Sequence, residues 1–401
     1  MAGSALSVFN DFMKATDSAV LTSPDHITNE AVKNNYLLRR FMKGRGPEEV
    51  LQGGKTIKDQ IMFDEDSTFE YYQPNATFTW QNPQVLEEWE IQWRFCVDHM
   101  SWTDHEIELN AGGGLSSKAR HAVYKRLRKV KEQRLWTSLI NGVDNSLFAV
   151  PEAAAMEAAG GTKPYSIPAF INEETNGLFN ESGTPWTTKM GIAPATQSKW
   201  APKQAVYKAT EAGGVSTHDN SVGILAAFDN MYLSTKFSAP PTKQEYFEND
   251  NLYRQFIACS KKGITDYGGI LRLQQDRFAV SPQDPAFIKP TYAGIELEYV
   301  SDLDTAALYL DADGNSLHVE GSSYAAAATS APALGPRYYW INANYLKPVF
   351  HTKRYMHRHD VMTHPNQPFT HVQPVDCWMN FVCQSMQRQG IVSPGTLFAG
   401  A

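Results

Sequence analysis

Five histidines, His351, His357, His359, His364 and His371, gather in the C-terminal quarter of the chain. Imidazole is a common transition-metal ligand, so this run is the first candidate for chemistry. Only His357 and His359 are close, and on a strand that spacing sets both on one face. Asp360 is the nearest carboxylate, and no HExxH or CxxC pattern accompanies them. Loop histidines bonded to backbone or water explain the run equally well, and that reading is preferred.

Three other patterns fail on spacing. Asp311-Ala312-Asp313-Gly314-Asn315 opens like a calcium loop, but its glycine is fourth rather than sixth and no Glu closes it at the twelfth position. It reads as a turn between strands. Ala111-Gly112-Gly113-Gly114 precedes a helix, whose N-terminus could hold phosphate. No Lys-Ser/Thr pair follows, and a hinge is the better account. The carboxylate pairs Glu87/Glu88 and Glu173/Glu174 are adjacent, so neither pair can face one substrate from one element, and no Gly-x-Ser-x-Gly elbow occurs. We therefore expect no catalytic residue, no metal ligand and no cofactor.

A helix at 116–134 concentrates Lys118, Arg120, Lys125, Arg126, Arg128, Lys129, Lys131 and Arg134 against a single acid, Glu132. Such stripes are often solvated faces. In a chain of net charge −7, one this dense equally suits contact with phosphates or with an acidic face of a neighbouring copy. Lys125, Arg128 and Lys129 are the candidates. The tryptophans Trp80, Trp89, Trp93 and Trp102 could form a sugar platform, but they follow a strand alternation closely and suit packing better.

The elements around these residues are well marked. Trp89, Ile91, Trp93, Phe95 and Val97 alternate with Glu88, Glu90, Gln92, Arg94 and Asp98, which predicts one strand with one buried face. A helix over 116–141 follows, with Ala119, Val123, Leu127, Val130 and Leu135 at helical spacing and a stop at Asn141-Gly142. Both elements need apolar partners, so the face of Trp89, Ile91, Trp93 and Phe95 is expected to be buried partly by another subunit. Strands at Ile57–Phe63 and Phe69–Trp80 make 55–102 an extended hairpin, with a turn at Asn82-Pro83. An N-terminal arm precedes it, helical over Asn29–Met42. Further helices are expected at Val222–Phe237 and from a Thr265 cap through Phe278. Strands are expected at Gln255–Ser260, Tyr292–Val300 and Asp376–Met386, and Gly321–Pro336 reads as an exposed connector. Short strands and loops fill 145–220, around Tyr165, Phe170, Trp186 and Trp200.

At 401 residues the chain is long enough for two or three domains, and 42% hydrophobic with 20% charged residues is the balance of a folded protein. Four cysteines, Cys96, Cys259, Cys377 and Cys383, are too few for a disulfide framework and read as reduced thiols. Met1 to Leu6 lacks the basic-then-apolar run of a signal peptide, and no apolar window is long enough to span a membrane. The sequons at Asn75 and Asn180 read as accidental.

In chain order, an arm, a long hairpin, a long amphipathic helix, a small α/β region and terminal long strands resemble the major capsid proteins of tailed bacteriophages. Ala227-Phe228-Asp229-Asn230-Met231 through Pro240-Pro241 to Phe256-Ile257-Ala258-Cys259-Ser260 looks like that family's helix–proline–strand passage. Trp378-Met379-Asn380-Phe381-Val382-Cys383 through Gly390-Ile391-Val392 resembles its closing strand. The resemblance implies an α+β fold of the Hong Kong 97 type. It divides the chain into an N-terminal arm (1–54), an extended loop (55–102), a spine helix with peripheral domain (103–220), an axial domain (221–336) and return strands (337–401). It implies a virion coat protein, not an enzyme, assembled in the host cytoplasm into hexamers and pentamers around double-stranded DNA. A separate scaffolding protein, a portal and a cement protein would be its partners, with no membrane. Two alternatives stay open: a phage tail or receptor-binding protein with an aromatic sugar surface, and a metalloenzyme using His357 and His359.

Overall fold

Short apolar runs bounded by turns form most of the strands, and the longest helices bury one stripe each. The computed structural model describes residues 37–42, 50–51, 53–63, 71, 86–106, 117–149, 153–158, 160–171, 188–207, 223–235, 254–274, 290–304 and 336–394, with the backbone alone at some positions, 117–127 among them. The strands are β1 (Val50–Leu51), β2 (Thr56–Met62), β3 (Leu86–Gln92), β4 (Arg94–Thr103), β5 (Lys203–Tyr207), β6 (Gln255–Cys259), β7 (Thr291–Tyr292), β8 (Ile295–Tyr299), β9 (Tyr338–Asn342), β10 (Leu346–His351), β11 (His357–Arg358), β12 (Met362–His364), β13 (Gln367–Cys383) and β14 (Gly390–Pro394). The helices are α1 (Leu38–Met42), α2 (Ser117–Leu147), α3 (Ala153–Met156), α4 (Ile167–Phe170), α5 (Ile224–Thr235) and α6 (Lys261–Gln274). The expected strand at Phe69–Trp80 (apart from Tyr71), the Ala111–Gly114 hinge, the Asp311 loop, Pro240-Pro241 and both sequons lie outside the described residues, as does nearly all of the Gly321–Pro336 connector.

The described residues divide into two units, one within Cys96–Val143 and Arg354–Cys377, the other within Asn34–Phe95, Asp144–Lys353 and Trp378–Ala401. The second contains a six-stranded sheet in the order β5-β14-β9-β6-β8-β7, where β6/β8 and β5/β14 are parallel and the other pairs antiparallel. Ile224, Ala227, Phe228 and Met231 of α5 and Tyr267 and Ile270 of α6 bury one stripe of each helix in a core with Ile257, Tyr338 and Trp340. Phe228 sits at its centre, its ring 4.9 Å from Tyr338, 5.2 Å from Tyr292 and 5.6 Å from both Tyr267 and Trp340. On α1, Phe41 meets Phe256 edge-on at 5.7 Å, and Arg40 pairs with Glu296. In the same unit β2 pairs antiparallel with β3, from Thr56 opposite Gln92 to Met62 opposite Leu86, and β10 pairs with Met379–Cys383 of β13.

In the first unit, β11 and β12 pair antiparallel with β13, His357 opposite Asp376 and Met362 opposite Val372. Lys131 of α2 reaches the Ser101 carbonyl at 2.7 Å and Glu106 at 2.6 Å.

Four expectations need correction. The long helix runs 31 residues, straight through Asn141-Gly142. Leu139, Val143 and Leu147 keep their buried spacing across that signal, and burial of this kind outweighs the ~1 kcal/mol a mid-helix glycine costs. Val130 is not on that buried stripe but exposed. α6 begins at Lys261, not at Thr265: Ser260 Oγ accepts from the Gly263 N–H at 3.2 Å and Asp304 Oδ1 from the Lys261 N–H at 2.7 Å, so Ser260 and Asp304 satisfy the first turn. Tyr292–Val300 is not one strand, because Ala293 (φ +49°) and Gly294 (φ +86°) form a tight turn between β7 and β8.

Candidate assembly surface

The expected alternation over Trp89–Val97 holds only halfway. On β3, Trp89 is 2% exposed and Ile91 3%, and Trp93, just beyond it, is 6% exposed, all covered by their own chain. Trp93 donates its indole N–H to the Gly54 carbonyl at 3.1 Å and meets His351 edge-on at 5.5 Å. Arg94 is buried immediately after it, so two consecutive residues point inward and the phase inverts. Phe95 is then 63% exposed and Val97 70%, on the side opposite to the one expected. The inversion has a cause. Arg94 donates to three carbonyls, Gly161 at 2.7 Å, Met156 at 2.5 Å and Ala158 at 2.9 Å. Burial lowers the guanidinium's pKa, and the three acceptors offset part of that cost.

Exposed apolar side chains recur at the far end of the β2/β3 hairpin, where Met62 lies opposite Leu86 and both are exposed. Phe95 is held edge-on against Trp378 at 4.8 Å. These three residues of the second unit, Met62, Leu86 and Phe95, offer apolar surface without a described cover.

Of the basic stripe, Lys129 is exposed, Arg128 is half-buried, and the side chain of Lys125 lies outside the described residues. Lys131 is held by Glu106, and Glu132 pairs with Arg358.

The histidines are dispersed into local polar contacts. His359 lies 3.1 Å from Asp376 and 3.2 Å from Arg354, and its carbonyl accepts from Gln373 at 2.8 Å. His357 meets the His359 ring edge-on at 4.9 Å, His371 lies 3.0 Å from Asp104, and His364 Nδ1 accepts from the Asn366 N–H at 3.2 Å. Among the described residues, no group of three or more His, Cys, Asp or Glu is placed to hold a metal ion. No described helix is long and apolar enough to cross a membrane.

Three polar residues that hold the second unit together were not singled out by sequence reasoning. Asn380, fully buried, accepts from the Tyr165 N–H at 2.9 Å and donates to the Gln92 carbonyl at 2.7 Å. Its signal was available: a lone amide inside the apolar run Trp378–Cys383. Lys189 is wholly buried, its ammonium 3.3 Å from the Phe170 carbonyl, and burial pulls its pKa down to about 7. It starts a tight reversal through Met190 (φ +54°) and Gly191 (φ +83°) to Ile192, whose Met190 carbonyl accepts from the Glu90 N–H at 3.1 Å. Nothing in its sequence neighbourhood marks it. Arg94 was hidden on the polar side of an alternation that changes phase at that residue.

Comparison of the sequence with protein-family models and with curated proteins finds no match. Comparison of the fold does. A chain of the cyanophage A-1(L) capsid asymmetric unit matches over 93% of this chain and 98% of its own, at 12% identity and a TM-score of 0.50. Chains of the bacteriophage PhiM1 mature capsid (10% identity, 94% and 92% covered, TM-score 0.45) and of the capsid of an empty GTA particle (8%, 99% and 100%, 0.47) are also similar. The chain thus has an α+β capsid fold of the Hong Kong 97 type.

Proposed function

We propose that this chain is the major capsid protein of a phage, a structural subunit that self-assembles into an icosahedral head around double-stranded DNA. Equivalence of fold with a cyanophage capsid chain over nearly its whole length supports this reading most directly. In it, β2 and β3 belong to the extended loop, α2 is the spine, the sheet with α5 and α6 (β9 and β14 included) is the axial domain, and β10 through β13 are the return strands. Hexamers and pentamers of one subunit would form in the host cytoplasm with a scaffolding protein, a portal and a cement protein, and the subunit would reside in the virion. Its work is geometric rather than catalytic: many copies of one modest interface give collective stability.

The apolar contact with the neighbour falls to Met62, Leu86 and Phe95. Trp89, Ile91 and Trp93 act from beneath by fixing β3, while Lys125, Arg128 and Lys129 meet DNA or an acidic neighbouring face. Co-expression with the scaffolding protein and negative-stain microscopy provide the test. The wild-type chain should form closed shells of uniform diameter. Phe95→Glu should leave the subunit folded, with an unchanged denaturant midpoint, and stop shell closure. Normal shells from Phe95→Glu would remove the contact surface, and absence of any multi-subunit particle from the wild-type chain would remove the coat reading itself. Reversing Arg128 and Lys129 together should weaken genome retention more at low salt than at high, because each lost phosphate contact removes counterion release and makes the salt dependence shallower.

A further inference from the structure

All four cysteines are free thiols, but two of them are neighbours. Cys96 lies on β4 and Cys377 on β13, and these strands pair. The Cys96 thiol donates to the Cys377 carbonyl at 3.3 Å across a sequence separation of 281, and each thiol shifts the pKa of the other. Other contacts index the strands: Phe95 lies against Trp378, and the Trp102 ring lies 6.0 Å from that of His371. Each step along β4 is matched by one step back along β13, which sets Cys96 directly across from Cys377. Directly opposed residues of an antiparallel pair have Cα atoms about 4.5–5.5 Å apart, within the span a disulfide bridges.

We propose that Cys96 and Cys377 form an intrachain cross-strand disulfide when the protein leaves a reducing environment for an oxidising one.

The two sulfurs are unequal in a way that sets the order of events. Contact with the Cys377 thiol, followed by backbone hydrogen bonding, lowers the Cys96 pKa. Contact with Cys96, followed by burial, raises that of Cys377. Cys96 is half-buried and Cys377 fully buried, so Cys96 is the sulfur that meets an external oxidant first. With glutathione disulfide as oxidant, the Cys96 thiolate attacks one sulfur, forming a mixed disulfide and expelling one glutathione thiolate. Cys377 then loses its proton and attacks the Cys96 sulfur, expelling the second glutathione. Two protein thiols are oxidised, one glutathione disulfide is reduced to two thiols, and the two thiol protons pass to solvent or to the departing glutathione. The product ties strands 281 residues apart in sequence, where a cross-link constrains the unfolded chain strongly. Cys259 and Cys383, each buried without a cysteine neighbour among its described contacts, stay reduced.

Full-length protein purified under reduction, then exposed to glutathione disulfide and digested without reductant, provides the test. The expected product is one linked peptide pair, Cys96 with Cys377, lighter by two hydrogens than the sum of its parts. Its formation should come with a rise in thermal midpoint of roughly 5 °C or more that dithiothreitol reverses. Cys377→Ser should instead trap glutathione on Cys96 and show no rise. A wild-type chain that keeps four free thiols, stops at the mixed disulfide, or links only after denaturation would overturn the proposal.

Discussion

Asn380 and Gln92 are joined across 288 residues of sequence by one hydrogen bond, the Asn380 amide donating to the Gln92 carbonyl at 2.7 Å. The same side chain accepts from Tyr165 and from its own neighbour Phe381, so a single buried amide ties β13 to β3 and to the segment before α4. Asn380→Leu has similar volume but strands two N–H donors and a carbonyl. We expect a loss of roughly 2–4 kcal/mol in denaturant unfolding at unchanged m-value. A loss below the error of the measurement would show that water replaces the amide.

Trp93→Glu is expected to damage the subunit itself. The tryptophan is covered by its own chain, so the carboxylate would be buried and the Gly54 carbonyl left without its donor. The expected cost is several kcal/mol, seen as a lower midpoint or insoluble product. A well-folded Trp93→Glu monomer with wild-type stability would mean that the site opens to solvent.

Gly161→Ala probes the carbonyl cradle around Arg94. A Cβ there would lie 2.2 Å from the Ala155 carbonyl oxygen, which is backbone and cannot rotate away, and 3.0 Å from an Arg94 nitrogen. We expect a destabilisation of about 1–3 kcal/mol. Combining it with Arg94→Met should cost less than the sum of the two alone, because both act on the same contacts.

Lys189 makes stability depend on pH. Its folded pKa, about 7, lies below the ordinary 10.5, so between these values the unfolded chain binds the proton and the folded chain does not. Stability from this group therefore rises with pH from about 7 to about 10.5, by up to ~1.4 kcal/mol per pH unit. Lys189→Met should stabilise the protein at pH 7 and flatten that rise between pH 7 and 9. Parallel pH profiles for the two proteins would rule the mechanism out.

Order and type of the main elements were legible in the sequence because apolar periodicity reports burial directly. The β3 comb, the stripe of α5, the β6 strand and the apolar run near Asn380 all read correctly. What escaped depends on long-range partners. The α2 extension past Gly142 needs the burial of Leu147, the α6 start needs Asp304, and the turn at Ala293 needs the pairing of β7 with β8. The exposed apolar face shifted for the same kind of reason. Trp89 and Phe95 look equivalent by spacing, and only the carbonyls of Met156, Ala158 and Gly161, more than sixty residues downstream of Arg94, separate them.

The inversion at Trp93-Arg94 also bears on how the segment can vary. A scan of all substitutions over Leu86–Thr103 should reveal two combs out of step, with tolerance at Glu88 and Glu90, then at Phe95, Val97 and His99 in the isolated subunit. The doubled inward step is a phase joint. Losing one residue there would bring the two combs back into step and rotate every later side chain to the opposite face. Insertions and deletions in this strand are thus disfavoured at its midpoint, whereas the outward faces on either side are free to drift independently.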